Sequence, residues 1–427
     1  LWSVSYSQRE PVWDDPLNQD LMPYDSQFEP IVMGGRLYIG FNDQDKLVAM
    51  DASSGQKLWT FYADAPVRLP PVGWRDRILV CSDDGFLYCL MADSGQLLWS
   101  FRGGPNSQKA LGNQRLTSAW PARGGPVVYE DTVYFAASIW PFMGTFIYAL
   151  DAATGAVRWI NDSTGAQYIK QPHSAPSFAG VGPQGALVAT DAYLIVPGGR
   201  SVPAVFLRGD GQFAHFEINA GGKGTGGSFV AADSVHFYVH TREKGTRAFN
   251  IATGLKTAFT PDEPVISGNI LYAASLIDGQ QQLHAYRASL DDDKKREPLW
   301  SLDVPAMEDL IGVKDHLVAA GEGKISILRR PEPVGDQLTG GSLIKQIDVK
   351  EPVARLLVAD QKLFVVFQSG KICSFGIPPT GPDTHRANWI DSTVDVLSER
   401  LAAHPSARDT TSMTEQGIEL VRQLLSH

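Results

Sequence analysis

The chain has 427 residues, a net charge of −10 and a pI near 5.4. This acidic balance argues against a nucleic-acid partner, which would be attracted by a basic surface. Hydrophobic residues make up 43% and charged residues 20%, with 41 Gly and 27 Pro, which is typical of a globular protein rich in short strands and turns.

The sequence also excludes several other classes. No apolar run approaches the roughly 18 residues of a transmembrane helix. Three cysteines without a CxxC pair predict neither a disulfide framework nor a zinc site. Because the sequence begins at Leu1 and shows no signal peptide, we expect either a removed leader or a trimmed chain.

One short pattern recurs along most of the chain. The run from Leu47 to Trp59 aligns with Leu87 to Trp99 and with Ile147 to Trp159, and a glycine stands four residues before each tryptophan. Decayed copies occupy 207–211 and 249–254. Each copy predicts a strand, then a tight Asp-Ala-x-x-Gly turn in which glycine adopts positive φ, then the start of another strand.

A second hairpin precedes each of these turns, so a period of about 40 residues holds four strands, as a propeller blade does. The first seven blades are predicted at 30–61, 70–101, 125–160, 185–216, 228–259, 265–302 and 309–347. Residues 353–376 supply three further strands, and residues 1–6 resemble the outer strand of a blade. The sequence therefore predicts an all-β, eight-bladed propeller over 1–376, built of four-stranded antiparallel blades and closed by its N-terminal strand, with seven blades as the alternative.

Residues 377–427 depart from this pattern. The stretch 377–383 is rich in proline and glycine and ends the strands. Apolar residues then recur at helical spacing over 390–403 and 414–425. We expect a linker and a short helical tail, which either docks on the propeller or leads into a further domain.

The repeat Leu-Tyr-x-Leu-Asp-Ala-x-Thr-Gly-x-x-x-Trp, together with Asp-Gly-x-Leu-Tyr, resembles the pyrroloquinoline-quinone-like (PQQ-like) repeat family, most clearly over 30–160. That family includes quinoprotein alcohol and glucose dehydrogenases, and also non-catalytic propellers such as the BamB lipoprotein of the outer-membrane assembly machinery. The resemblance implies a bacterial, extracytoplasmic protein of the periplasm or cell envelope. It leaves the function open, because one fold serves many functions.

The residues that a quinoprotein dehydrogenase would need do not match a motif in this chain. Such enzymes usually carry adjacent cysteines and hold Ca²⁺ through a Glu, an Asn and a catalytic Asp, whereas Cys81, Cys89 and Cys373 lie apart. His236 and His240 fall about 13 Å apart on one strand, too far to share a metal ion. We therefore expect no catalytic, cofactor-binding or metal-binding residue, and PQQ with calcium is the disfavoured alternative.

The repeated tryptophans are interpreted as packing positions, because a residue that recurs at one structural position around a ring contributes to the packing of the ring. They are Trp2, Trp59, Trp99, Trp159 and Trp300.

Long insertions mark one face of the predicted propeller. They span 102–124, 160–184 and 217–227, and the loops 139–145 and 199–203 join the same face. Arginine together with aromatic residues is typical of interface hot spots. The candidate partner-binding residues are Arg68, Arg102, Arg115, Trp120, Arg123, Trp140, Tyr168 and Arg200. In the alternative interpretation, these arginines bind loop carbonyls and pack on the aromatic rings.

The sequence thus favours a non-catalytic scaffold that binds a protein or polymeric partner on this face. Two alternatives stay open: a PQQ-dependent dehydrogenase, and a propeller that binds or cleaves carbohydrate.

Overall fold

Antiparallel sheets follow one another along the described part of the chain. The structure is a computed structural model, and it describes residues 1–9, 25–112, 115–170, 176–199, 201–216, 225–241, 245–257, 262–288, 297–334 and 337–376. In most sheets each strand pairs with its predecessor in the sequence. This up-and-down arrangement is that of a propeller blade.

The strands up to residue 179 are the N-terminal strand β1, three blades of four strands each and two additional hairpins. They are β1 (Trp2–Ser5), β2 (Ile31–Met33), β3 (Arg36–Phe41), β4 (Lys46–Asp51), β5 (Lys57–Tyr62), β6 (Val72–Trp74), β7 (Arg77–Cys81), β8 (Phe86–Met91), β9 (Leu97–Arg102), β10 (Lys109–Gly112), β11 (Arg115–Ser118), β12 (Gly124–Tyr129), β13 (Thr132–Ala137), β14 (Phe146–Asp151), β15 (Val157–Asn161), β16 (Gln167–Lys170) and β17 (Pro176–Ala179). A 3₁₀ turn, Pro141–Met143, lies between β13 and β14.

The remaining strands complete the ring. They are β18 (Gly185–Ala186), β19 (Val188–Ala189), β20 (Tyr193–Val196), β21 (Ala204–Leu207), β22 (Phe213–His215), β23 (Thr225–Ala232), β24 (His236–Thr241), β25 (Thr246–Asn250), β26 (Val265–Ser267), β27 (Ile270–Ile277), β28 (Gln280–Arg287), β29 (Trp300–Asp303), β30 (Asp309–Val313), β31 (His316–Gly321), β32 (Lys324–Arg329), β33 (Glu332–Val334), β34 (Gln337–Thr339), β35 (Ser342–Asp348), β36 (Val353–Ala359), β37 (Lys362–Phe367) and β38 (Lys371–Gly376).

The sheets give eight blades, which confirms the predicted fold class. In chain order the blades are β2–β5, β6–β9, β12–β15, β19–β22, β23–β25, β26–β29, then β30–β32 with β35, and finally β36–β38 with β1. The last of these contains the predicted closure, because β1 pairs antiparallel with β38 and sets Trp2 opposite Ser374. The N-terminal strand is thus the outer strand of blade 8.

The repeated tryptophans pack between neighbouring blades. The ring of Trp59 lies on Gly95 in the turn of blade 2, so closely that an added Cβ would stand 2.6 Å from it, and Trp2 lies on Gly55 in the same way. Gly95 has φ +72°, which favours glycine. The indole Nε1 of Trp59 donates to the carbonyl of Ala92 at 3.2 Å. The repeat motif therefore fastens each blade to the next one.

The hydrophobic core lies in the clefts between blades. One cluster joins Tyr38 and Leu47 of blade 1 to Ile78 and Leu90 of blade 2, and all four side chains are fully buried. Successive residues of the central strands point into the clefts on opposite sides of a blade, so strands such as β3 and β31 are buried along nearly their whole length. The hydrophobic core is thus divided into separate clusters, which lie between neighbouring blades around the ring.

Three features differ from the strand pattern expected from the sequence. The insertions 102–124 and 160–184, expected as loops, contain the hairpins β10–β11 and β16–β17. Residues 185–186, expected to begin blade 4, instead pair in parallel with Gly124 and Gly125 of blade 3. This pairing needs glycine, because a Cβ on Gly125 would stand 3.3 Å from the Ala186 backbone. Blade 5 has three described strands, and a single bridge from Phe249 to Lys256 marks its outer position.

The linker and helical tail predicted over 377–427 lie outside the described residues, as does most of the insertion 217–227. Among the residues that are described, no helix has the length and apolar character needed to cross a membrane.

Candidate binding face and axial cavity

Three insertions pack against one another on one face of the propeller. We call the residues 102–124, 139–145 and 160–184, where described, the insertion face. The indole Nε1 of Trp120 donates to the carbonyl of Met143 at 2.9 Å, which joins the first insertion to the second. The hydroxyl of Thr145 donates to the carbonyl of Val181 at 2.6 Å, which joins the second to the third. Segments that are separate in the sequence therefore form one continuous surface.

Large apolar side chains project from this surface. Phe142 is 79% exposed, and Tyr168 and Phe178 are 67% and 75% exposed. Tyr168 and Phe178 are cross-strand neighbours on β16–β17, with ring centroids 5.2 Å apart. Leu111 and Leu116 pair in the same manner on β10–β11 and are also exposed. A concentration of exposed rings and aliphatic groups is a feature of surfaces that bind other molecules.

Two of the predicted partner-binding arginines are buried in a charge network. The guanidinium of Arg68 binds Asp25 and Asp83, each at 2.6 Å, and Arg123 binds both carboxylate oxygens of Asp83 at 3.1 and 2.9 Å. Burial opposes ionisation of Asp83, yet the two arginines together lower its pKa. Arg68, Asp83 and Arg123 hold the base of the insertion face and offer no surface to a partner.

Two further predicted partner-binding residues, Trp120 and Arg115, stabilise the insertion face through contacts in its interior. Trp120 is only 5% exposed and packs edge-on against Phe146. Arg115 binds the carbonyls of Asn42 and Asp43 at 3.1 and 3.2 Å, and pairs with Asp45 as well. Burial raises the pKa of Asp45, and Arg115 partly offsets this effect. These contacts fasten the hairpin β10–β11 to blade 1.

Three other predicted residues are exposed to solvent. Arg102, Trp140 and Tyr168 are exposed on or beside the insertion face, while Arg200 lies outside the described residues. The sequence analysis did not select Phe178, Leu111 and Leu116. These three residues lie in insertions that carry neither the repeat motif nor an alternating pattern, so no local signal in the sequence marked the two hairpins.

Replacing Arg115 by alanine is expected to loosen β10–β11 without unfolding the propeller. The lost pair is partly exposed, so we expect a global destabilisation below about 1 kcal/mol, while the amides of Ala110 and Thr117 should exchange faster. Hydrogen exchange measured by mass spectrometry checks this. Arg75→Ala, which breaks an exposed pair with Asp131, is the control and should leave the hairpin unchanged; equal exchange in both variants would contradict the assignment.

A second feature is a cavity of about 480 Å³ on the propeller axis. Residues at the starts of the inner strands line it, from Glu29 and Leu69 in the first half of the ring to Phe229, Glu263 and Arg355 in the second. The axial cavity is thus enclosed by residues of most blades. A volume of this size is in the range of small-molecule sites.

Ion pairs between neighbouring blades form the wall of the axial cavity. Arg355 of blade 8 binds Glu29 at 2.9 Å and Asp309 of blade 7 at 3.5 Å. His240 of blade 5 bonds to Glu263 of blade 6 at 2.6 Å. Burial raises the pKa of Asp309, and Arg355 partly offsets this rise. The charged groups on the axis therefore join blades together as well as facing the cavity.

The sequence analysis missed these axial acids, although a signal was present. A Glu-Pro step followed by two apolar residues precedes inner strands at Glu29, Glu263 and Glu351. Glu308 plays a similar part, because its carboxylate accepts the amide of Val353 at 2.9 Å. In the part of the chain that the structure describes, no group of three or more His, Cys, Asp or Glu side chains is arranged to hold a metal ion.

The eight blades and their Trp–Gly contacts define this protein as an eight-bladed β-propeller. Residues 1–180 match the family model of the outer membrane protein assembly factor BamB. The resemblance seen in the repeats, including its BamB-like character, is therefore confirmed.

One curated relative and two solved structures are similar to this chain. It is 28% identical over 142 residues to the dehydrogenase subunit of the quinone alcohol dehydrogenase of Gluconobacter oxydans (strain 621H), a match that covers 30% of this chain and 18% of that subunit. The quinohemoprotein alcohol dehydrogenase of Comamonas testosteroni superposes with a TM-score of 0.56 and 11% identity, over 89% of this chain and 77% of the enzyme. The designed protein Ika8 gives a TM-score of 0.55 and 16% identity, over 82% and 96%. At these identities the structural likeness shows the fold alone.

Proposed function

We propose that this propeller is a non-catalytic scaffold that binds a protein partner through the insertion face, in the periplasm or cell envelope of a bacterium. The observation that carries the proposal is the exposure of Phe142, Tyr168 and Phe178 on two of the three packed insertions. Large rings that a rigid base holds in place can bind with little loss of conformational entropy.

The charge around these rings supports a particular kind of partner surface. Arg102 and Lys109 are exposed beside the apolar groups. Positive charge at the rim of an apolar patch favours a partner with apolar side chains bordered by carboxylates. The description of the matching family, an outer membrane protein assembly factor, supports a role in assembly with other proteins.

The dehydrogenase alternative draws support from relatives that are named as quinone alcohol dehydrogenases. The match covers only 18% of the length of the relative named above, so its activity does not transfer with the repeats. The carbohydrate alternative rests on the same exposed aromatic residues and gains no separate support.

Photo-crosslinking tests the proposed function. With p-benzoylphenylalanine in place of Phe142, Tyr168 or Phe178, we expect all three positions to crosslink one protein species of the same mass in cells of the native host. Leu255 and Val334 are 65% and 62% exposed and lie in connections on the opposite face, so they are matched control positions. Equal crosslinking from these controls would contradict the proposal.

The combined variant Phe142→Ser, Tyr168→Ser and Phe178→Ser is expected to lose this crosslinked species when the probe is placed at Trp140. Its free energy of unfolding should change by less than about 0.5 kcal/mol per site, because the three side chains are mostly exposed. The control variant Leu255→Ser with Val334→Ser should retain the crosslink. A triple variant that still crosslinks fully would exclude the insertion face as the binding surface.

A further inference from the structure

The axial cavity raises a question about ligands that the insertion face does not answer. Relatives of this chain are named for a quinone, and PQQ is a planar ring system that carries three carboxylates. The cavity volume of about 480 Å³ is sufficient for ligands of this size class. Whether the quinone fits therefore depends on the chemistry of the wall.

The wall has an excess of negative charge. Five carboxylates face one guanidinium, that of Arg355; the five are Glu29, Asp262, Glu263, Glu308 and Asp309. At neutral pH a tricarboxylate in this cavity would meet like charges on several sides. Juxtaposed like charges cost several kcal/mol in a confined site.

The guanidinium of the wall already has two anionic partners, because Arg355 binds Glu29 and Asp309. These contacts use two of its five N–H donors, so a quinone carboxylate that approached Arg355 would share it with both acids and would lie beside their negative charge. The positive charge of Arg355 is therefore already offset by carboxylates of the wall.

The aromatic character of the wall gives no compensation. Phe229 supplies the aromatic ring among the lining residues. One face of this ring is covered, since it stacks on His240 with centroids 5.0 Å apart and an interplanar angle of 15°. A flat ligand would gain little stacking to offset the repulsion.

From these contacts we infer that the axial cavity excludes PQQ, and polycarboxylates like it, by the fixed negative charge of its wall and not by lack of space. The inference concerns the axis and is independent of the proposed partner-binding function of the insertion face.

Equilibrium dialysis with PQQ at neutral pH, with and without Ca²⁺, tests the inference. The wild-type protein is expected to retain no saturable quinone in either condition. The double variant Glu263→Gln with Glu308→Gln removes two charges but keeps acceptor oxygens for His240 and for the amide of Val353. We expect it to bind PQQ at least about tenfold more tightly than the wild type.

The matched control removes two charges elsewhere, at the exposed Glu297 and Glu332. E297Q with E332Q is expected to behave like the wild type. Saturable binding of one equivalent by the wild-type protein would overturn the inference. So would a folded E263Q/E308Q variant that binds no better than the control, because charge would then not be the cause of exclusion.

Circular dichroism shows which variants are folded. If the double variant unfolds, E308Q alone serves the same purpose, since it preserves the hydrogen bond to the Val353 amide and is expected to give a smaller gain in affinity in the same direction. An unchanged affinity in folded E308Q would then count against the inference.

Discussion

Replacing Asp83 by asparagine is expected to lower the free energy of unfolding by roughly 3–5 kcal/mol, since removing one partner of a buried ion network leaves uncompensated charge. Asp83 bridges Arg68 and Arg123, and the three side chains are at most 3% exposed. Oδ2 of Asp83 accepts from both guanidinium groups and Oδ1 accepts from Arg123, so in either orientation the asparagine NH₂ group would face a donor of Arg123, and the negative charge is lost. Urea unfolding monitored by tryptophan fluorescence measures the change.

The same network predicts a loss of stability in acid. The folded-state pKa of Asp83 lies below its unfolded value, because Arg123 and Arg68 outweigh the effect of burial. A depressed carboxylate pKa contributes stability above the unfolded value of about 4, and this contribution disappears as the pH falls through the folded-state pKa. In D83N this contribution is absent, so the difference between wild type and variant should shrink below about pH 4.

Asp131→Asn is the control, because Asp131 forms an exposed pair with Arg75. Exposed pairs contribute about 0–1 kcal/mol. If D131N and D83N destabilised the protein equally, the buried network would not be the main support of the insertion face.

A double-mutant cycle on Trp59 and Gly95 is expected to show strong coupling between blades 1 and 2. Trp59→Ala should cost about 3 kcal/mol through the lost ring. Gly95→Ala should cost about 2–4 kcal/mol, because its Cβ would stand 2.6 Å from the Trp59 ring and its φ is +72°.

Part of the Gly95→Ala penalty should disappear once the ring is gone. In the Trp59→Ala background we expect only the backbone cost of alanine at positive φ, about 1–2 kcal/mol. Gly34→Ala measures that cost directly, since Gly34 also has positive φ but has no atom within 4 Å of an added Cβ. Additive effects of Trp59→Ala and Gly95→Ala in urea unfolding would show that the contact does not join the blades.

The sequence predicted the eight-bladed ring correctly because the blades repeat the same glycine turn and the same tryptophan packing position. A glycine four residues before a tryptophan, as Gly95 stands before Trp99, indicated the turn, and the recurrence of the tryptophan indicated a packing position. Even the decayed copy at 207–211 keeps its place, since Trp159 packs on Gly211. A repeated motif can be recognised in the sequence because every copy makes the same packing contact.

The predicted binding residues were less well resolved, because residue type does not reveal burial. Arg68 and Arg123 were predicted to lie at the surface. Both instead pair with Asp83, in the turn between β7 and β8, and are buried. Conversely, Phe178 looked like part of a loop, although pairing with Tyr168 exposes it on a hairpin. Long-range partners of this kind are set by the fold and leave no local pattern.

Closure of blade 8 by β1 has a consequence for how the chain folds. The amino group of Leu1 donates to the carbonyl of Ser374, a contact across 373 positions of sequence. β1 is synthesised before β38, and seven other blades lie between these two strands in the sequence. The edges of β1 and β38 therefore stay open until the end, and this last pairing is the step most exposed to mispairing with other chains.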